Sequence, residues 1–132
     1  MQTQAVIEHI VNWMKEYAER ARVKGFVVGV SGGIDSAVVS VLAAKTGLDV
    51  LLLEMPIRQK ADQVNRAQAH MADLQNRFTN VRGLSVDLTP TFEQFEQTVA
   101  GDGSAEELRQ LALANSRSRL RMLTLYYYGQ TN

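Results

Sequence analysis

The chain has 132 residues, 45% of them hydrophobic and two of them proline, enough for one domain with a real buried core. Fourteen basic and fourteen acidic side chains cancel, so no global field recruits nucleic acid or an anionic membrane, and neither is an expected partner. The absence of cysteine excludes disulfides, thiolate zinc sites and thiol nucleophiles, and two histidines alone cannot build a metal cluster. The longest apolar runs are too short to cross a bilayer and the amino terminus lacks a signal-peptide pattern, so a cytoplasmic location is the expectation.

Val6, Ile7, Ile10, Trp13, Met14, Tyr17 and Ala21 recur at helical spacing and predict an amphipathic first helix, with His9 on its solvated side. Gly25 ends that pattern. The continuous apolar run from Phe26 to Val30 then suits a strand covered on both faces, as in a parallel sheet.

Ser31-Gly32-Gly33-Ile34-Asp35-Ser36 follows this strand and precedes a helix predicted from Ala37 to Lys45. Two adjacent glycines allow a sharp turn that brings backbone N–H groups against an anion. The helix adds its unpaired first amides and the positive end of its dipole. Asp35 in the first turn would repel a phosphate unless a divalent cation lies between them, so the motif predicts a nucleotide with Mg²⁺. Neither the Gly-x-x-x-x-Gly-Lys-Ser/Thr pattern nor Gly-x-Gly-x-x-Gly is present, which disfavours a Walker ATPase and a standard hydride-transfer domain.

The predicted helix ends at Gly47, with Leu48 placed for the hydrophobic contact of a Schellman cap. A second buried strand spans Val50 to Met55 and stops at Pro56. Ala61 to Gln75 forms another amphipathic helix through Val64, Ala67, Met71 and Leu74, which puts His70 on its outer side. Val81 to Val86 is the third strand. This alternation of strands and helices argues for a parallel α/β sheet with right-handed crossovers.

Thr91-Phe92-Glu93-Gln94 and Ser104-Ala105-Glu106-Glu107 both read as capping boxes, the first opening a short helix and the second a long one to about Tyr128. On the long helix Leu108, Leu111, Asn115, Arg119, Met122 and Tyr126 follow one face. Leu113, Leu120, Thr124 and Tyr127 follow another. Apolar groups on both sides predict burial on both, one against the sheet and the other against a partner subunit, so a homodimer through residues 105–128 is the expectation. Arg119 lies one turn from Asn115 on a mostly apolar face, an arrangement that can recognise a phosphate or carboxylate.

The Ser-Gly-Gly-Ile-Asp-Ser loop with these flanks resembles that of the N-type ATP pyrophosphatases, the PP-loop superfamily, which cleave ATP between its α and β phosphates. The loop alone equally suits relatives of GMP synthetase or asparagine synthetase. The amino-terminal helix, Lys24 to Ser36, Met55-Pro56, and above all Asn115-Ser116-Arg117-Ser118-Arg119-Leu120-Arg121-Met122 are together similar to the ammonia-dependent NAD synthetases in order and spacing. That resemblance implies a Rossmann-like parallel sheet with flanking helices, of the adenine nucleotide alpha hydrolase kind. Residues 1–132 would be one domain, incomplete at its C-terminus, that stops after the third strand and a long helix and by itself lacks turnover.

By the same resemblance Gly29, Val30, Ser31, Gly32, Gly33, Ile34, Asp35 and Ser36 hold ATP, Asp35 ligates Mg²⁺, and Arg119 contacts deamido-NAD, with Asn115 a second candidate. The implied ligase transfers AMP to the nicotinate carboxylate and releases pyrophosphate. Ammonia then displaces AMP to give NAD. Carboxylate attack on the α-phosphorus needs no protein nucleophile or general base, and a chain without cysteine has no thiol to release ammonia from glutamine. Glu54 stands where several relatives place an arginine directed at ATP, with Arg58 as a substitute. Two alternatives are another adenylating enzyme of the superfamily and a non-catalytic module that binds ATP and dimerises.

Overall fold

The computed structural model describes residues 2–132. Helix α1 (Thr3–Ala21) leads into strand β1 (Gly25–Val30), helix α2 (Ile34–Lys45), strand β2 (Asp49–Glu54), helix α3 (Ala61–Arg77) and strand β3 (Val81–Ser85). Helices α4 (Thr89–Thr98) and α5 (Glu106–Thr131) complete the order. The three strands are parallel, in the order β1-β2-β3, with Val30 level with Glu54 and Glu54 level with Ser85.

Alternation along β2 divides the core in two, because successive side chains leave opposite faces of a strand. Val50 and Leu52 join Ala43 and Ala44 of α2 and Ala67, Met71 and Leu74 of α3, with Met14 of α1 packed beside them. Leu51, Leu53 and Met55 face the other way, against Phe92 of α4 and Leu113 of α5. Central β2 is therefore buried on both sides. β1 is only half-buried over most of its length, and among the described residues it pairs on one side alone. The expectation of a strand covered on both faces is met by β2 and only partly by β1.

The helix ends show where local sequence was outweighed. At the end of α2, Gly47 has a left-handed φ of +77° and its N–H donates to the Ala44 carbonyl at 3.2 Å, as a Schellman cap requires. The second bond of that motif is replaced by a side chain. Buried Thr46 donates its hydroxyl to the Ala43 carbonyl at 2.6 Å and accepts the Leu48 N–H at 3.2 Å, bridging the two groups that would otherwise pair.

Thr91 does not cap α4, because that helix already begins at Thr89. Asp87 accepts the Thr89 N–H at 3.0 Å and Pro90, with its fixed φ, sits in the first turn. Hydrogen bonding from the Thr89 side chain, together with its N–H, also holds the Asp87 carboxyl below its ordinary range. Ser104 does not cap α5 either. Its N–H and hydroxyl both donate to Asp102, at 2.9 and 2.5 Å, which leaves Ala105 as the capping position.

His70 departs from its expected outer position. Its Nε2 lies 2.7 Å from Oγ of Ser40, a fully buried residue of α2, so the histidine ties α3 to α2. The Ser40 hydroxyl donates to the Ala37 carbonyl at 2.8 Å, which leaves Nε2 to carry the proton of the shared bond. Position 70 is one residue before buried Met71 and flanks the apolar stripe, at the margin that faces the neighbouring helix.

Candidate functional site

The loop between β1 and α2 turns through Gly32, whose φ is +84°. A Cβ added there would lie 2.7 Å from the Gln63 carbonyl in the first turn of α3. Both the conformation and the close approach demand glycine. Gly33 occupies the N-cap position of α2 without a side-chain cap, so the first amides of the helix, Ile34, Asp35 and Ser36, have no intrahelical acceptor. The loop is braced from within. The Ser31 N–H donates to Ser36 Oγ at 3.2 Å, Ser36 Oγ donates to the Gly33 carbonyl at 3.2 Å, and the Gly33 N–H donates to Ser31 Oγ at 3.4 Å.

This places the eight predicted loop residues in different roles. Val30 is 4% exposed and its side chain belongs to the core, while the Ile34 side chain is 79% exposed. Both can serve an anion only through the backbone. Asp35 is exposed in the first turn of α2, and among the described residues no basic group lies within ion-pair distance of it. No group of three or more metal-ligating side chains occurs among the described residues. A lone carboxylate beside open amides fits a Mg²⁺ that arrives with phosphate and keeps several waters.

Next to the loop, beyond the carboxyl ends of β1 and β2, a cavity of about 250 Å³ is bounded by Gly29, Val30 and Ser31 on one side and Glu54, Met55 and Pro56 on the other. This is the crevice where open α/β sheets receive ligands. Gln59 and Gln63 of the β2–α3 region and Arg121 of α5 complete its polar wall.

The two arginines of the Arg-x-Arg pair diverge, since residues two apart on a helix point about 200° from one another. Arg121 turns inward, and its Nε donates to the Met55 carbonyl at 2.9 Å. Burial, with a smaller contribution from the Arg117 charge, lowers its pKa from the ordinary arginine value. Among the described residues it has no acidic partner within ion-pair distance, so a charge that stays protonated faces the cavity unneutralised. Arg119 and Asn115 are exposed on the opposite side of α5. The Arg119 guanidinium donates to the Asn115 carbonyl at 3.3 Å, and neither residue lines the cavity.

Arg58 does not reach the cavity. It is committed to α4 through Glu96 and Glu93, lies 5.7 Å from the centre of the Phe92 ring, and donates its backbone N–H to Thr89 at 3.0 Å. Glu54 faces the opposite situation. It is 3% exposed, with Oε1 accepting from Ser85 Oγ at 2.7 Å and from Gln68 Nε2 at 3.1 Å, while Oε2 has no hydrogen-bond partner. Sequence reasoning did not assign Arg121 or Gln63 to the site. Helical phase relative to Leu113 would have separated Arg121 from Arg119, because positions 113, 117, 120, 121, 124 and 128 share the inward stripe.

The model of the NAD synthase family matches residues 6–132. The NH(3)-dependent NAD(+) synthetase of Mesoplasma florum is 35% identical over 100% of this chain and 52% of its own length, and that of Finegoldia magna is 37% identical over 95% and 48%. Among solved structures, NMN synthetase from Francisella tularensis superposes with a TM-score of 0.86 at 29% identity, covering 99% of this chain and 51% of that one. The NH3-dependent NAD synthetase from Campylobacter jejuni, in complex with the nitrate ion, gives a TM-score of 0.82 at 26% identity, over 99% and 53%. The chain thus spans about half the length of the relatives it matches, and over nearly all of its own length it belongs to the NAD synthase family.

Proposed function

We propose that this chain forms the ATP-cradling part of an ammonia-dependent NAD synthetase, folded as one domain. The observation that carries this reading is the glycine turn with its open helix amides beside a cavity that presents an unpaired arginine. The loop amides would take phosphate oxygens of ATP and Arg121 would neutralise a further anionic group, while the cavity receives the rest of the nucleotide. Asp35 is the residue that would hold Mg²⁺, and the bound ion supplies charge neutralisation at the phosphates. No protein nucleophile is required. The carboxylate of deamido-NAD attacks the α-phosphorus, pyrophosphate leaves with the bonding electrons, and ammonia then displaces AMP from the acyl carbon to form the amide. The chain's own residues contribute by holding two anionic substrates in line.

Leu108, Leu111, Met122, Leu123, Tyr126 and Tyr127, each at least 56% exposed, give α5 an apolar outer surface. We assign this surface to a second copy of the chain, with Arg119 and Asn115 available there for deamido-NAD. Water-soluble substrates fit a cytoplasmic location.

Equilibrium binding of ATP to the chain with and without Mg²⁺, followed by pyrophosphate exchange in a version extended to the full length of its relatives, with deamido-NAD, nicotinate mononucleotide or xanthylate as acceptor, tests the reading. Mg²⁺-dependent ATP binding and exchange only with deamido-NAD are expected. Exchange with another acid would assign a different adenylation, the mononucleotide being the acid matching the product named for the Francisella relative. ATP binding without exchange would leave a nucleotide-binding module. No ATP binding would overturn the reading altogether.

A further inference from the structure

Two non-glycine residues among the described ones have a left-handed backbone, Arg22 at φ +57° and Arg58 at φ +54°. Arg22 ends α1, where its N–H donates to the Glu19 carbonyl at 3.1 Å, an ordinary place for that conformation. Arg58 caps no helix. It lies between β2 and α3, and a residue with a Cβ avoids the left-handed region unless its surroundings impose it. Here α4 imposes it. The Arg58 guanidinium donates to Glu96 Oε1 at 2.5 Å and lies 3.7 Å from Glu93 Oε2, and its backbone N–H donates to Thr89 Oγ1 at 3.0 Å. Two residues earlier, the Pro56 carbonyl accepts the Leu88 N–H at 3.0 Å.

The turn has two sides. Ile57 is buried in the core with Phe92 and Leu113 and Arg58 is bound to α4, whereas Pro56 and Gln59 line the cavity. Lys60 then starts α3, whose first turn carries Gln63, and the Gln63 carbonyl is the group that Gly32 of the glycine turn approaches. Leaving the left-handed conformation at Arg58 would redirect the chain at Gln59 and carry the start of α3 with it. We infer that Arg58 is a positioning residue for ligand in the cavity: its bond to Glu96 holds the turn that places Gln59 in the cavity wall and the first turn of α3 against the Ser31 to Ser36 loop. Arg58 touches no ligand, and affinity senses it only through the fraction of chains in which the turn is formed. This inference rests on the nucleotide reading above and adds to it a residue outside the cavity.

Calorimetric titration of ATP into the folded chain and its Arg58→Ala, Arg58→Gly and Glu96→Gln variants tests it. Arg58→Ala loses the ion pair and keeps the steric penalty of a Cβ at positive φ, so ATP should bind about fivefold more weakly, the most that a partly exposed ion pair supports. Arg58→Gly loses the same ion pair but adopts the turn without penalty, and should recover most of that loss. A guanidinium that met the ligand itself would be missed equally in both variants. Glu96→Gln should weaken binding about twofold on its own and add nothing in the Arg58→Gly background. Unchanged ATP affinity in Arg58→Ala overturns the inference while leaving the nucleotide reading intact, and so does equal weakening by alanine and glycine. If the unaltered chain binds no ATP, the nucleotide reading falls and takes the inference with it.

Discussion

The loop from Ser31 to Ser36 and the helix α5 carry the two conspicuous motifs of the chain, yet they are specified in different ways. The loop is local: glycine at φ +84°, an uncapped helix start and three hydroxyl-mediated bonds lie within six residues. The meaning of α5 depends on rotation. Leu113 is 4% exposed and Leu111, two residues away, is 60% exposed. A motif on a long helix is therefore read correctly only after its phase against the core is known.

Leu113→Ala should produce the largest effect, a loss of about 2–4 kcal/mol in denaturant unfolding, because it opens a cavity against Phe92 and Leu53. Leu111→Ala should stay within about 0.5 kcal/mol at concentrations where the chain is monomeric. Similar losses for the two would erase the distinction between the faces. Arg121→Ala and Arg119→Ala sharpen the same contrast at the level of ligand: removing a charge-assisted contact worth about 1.5–3 kcal/mol should weaken ATP binding tenfold or more for Arg121 only. Equal weakening would move Arg119 from the deamido-NAD role to the ATP site.

Asp35→Asn tests the loop itself. It should reduce the gain in ATP affinity that Mg²⁺ provides by about tenfold, with the unfolding midpoint nearly unchanged because the residue is exposed. Undiminished Mg²⁺ dependence in calorimetric titration would remove Asp35 from the metal site. The smallest expected effect is one of pH. The Arg58 hydrogen bond holds the Glu96 carboxyl below its ordinary range. A carboxyl with a depressed folded pKa contributes stability that is present above its unfolded pKa and fades as pH falls through the lower folded value. Unfolding in acid should thus show a slight loss in that window. Glu96→Gln should remove this slope, and its persistence would assign the slope to another carboxyl.

Much of the fold was legible because its signals are short-range. Phe26 to Val30, Val50 to Leu53 and the Val64, Ala67, Met71, Leu74 stripe fixed three of the elements and their buried sides, and the strand-turn-helix at Ser31 located the glycine turn and its open helix amides. What escaped depended on competition or phase. Thr91 and Ser104 match capping patterns, but Asp87 with Pro90 starts α4 earlier and Asp102 captures the Ser104 hydroxyl. His70 is polar and flanks an apolar stripe, which predicts an outer position, whereas it meets a buried hydroxyl 30 residues away. Arg58 has the charge to substitute for the arginine that Glu54 replaces, but two glutamates on α4 hold it elsewhere. The tertiary partner decided each of these, and no window of sequence contains that partner.

The one-sided pairing of β1 has a practical outcome for handling the protein. Along Gly25 to Val30 the outer row of peptide groups is a template on which another extended segment can add, and such rows are where sheets recruit copies of themselves. Protein concentration thereby becomes an experimental variable: association through this row would show as a concentration dependence of the titration.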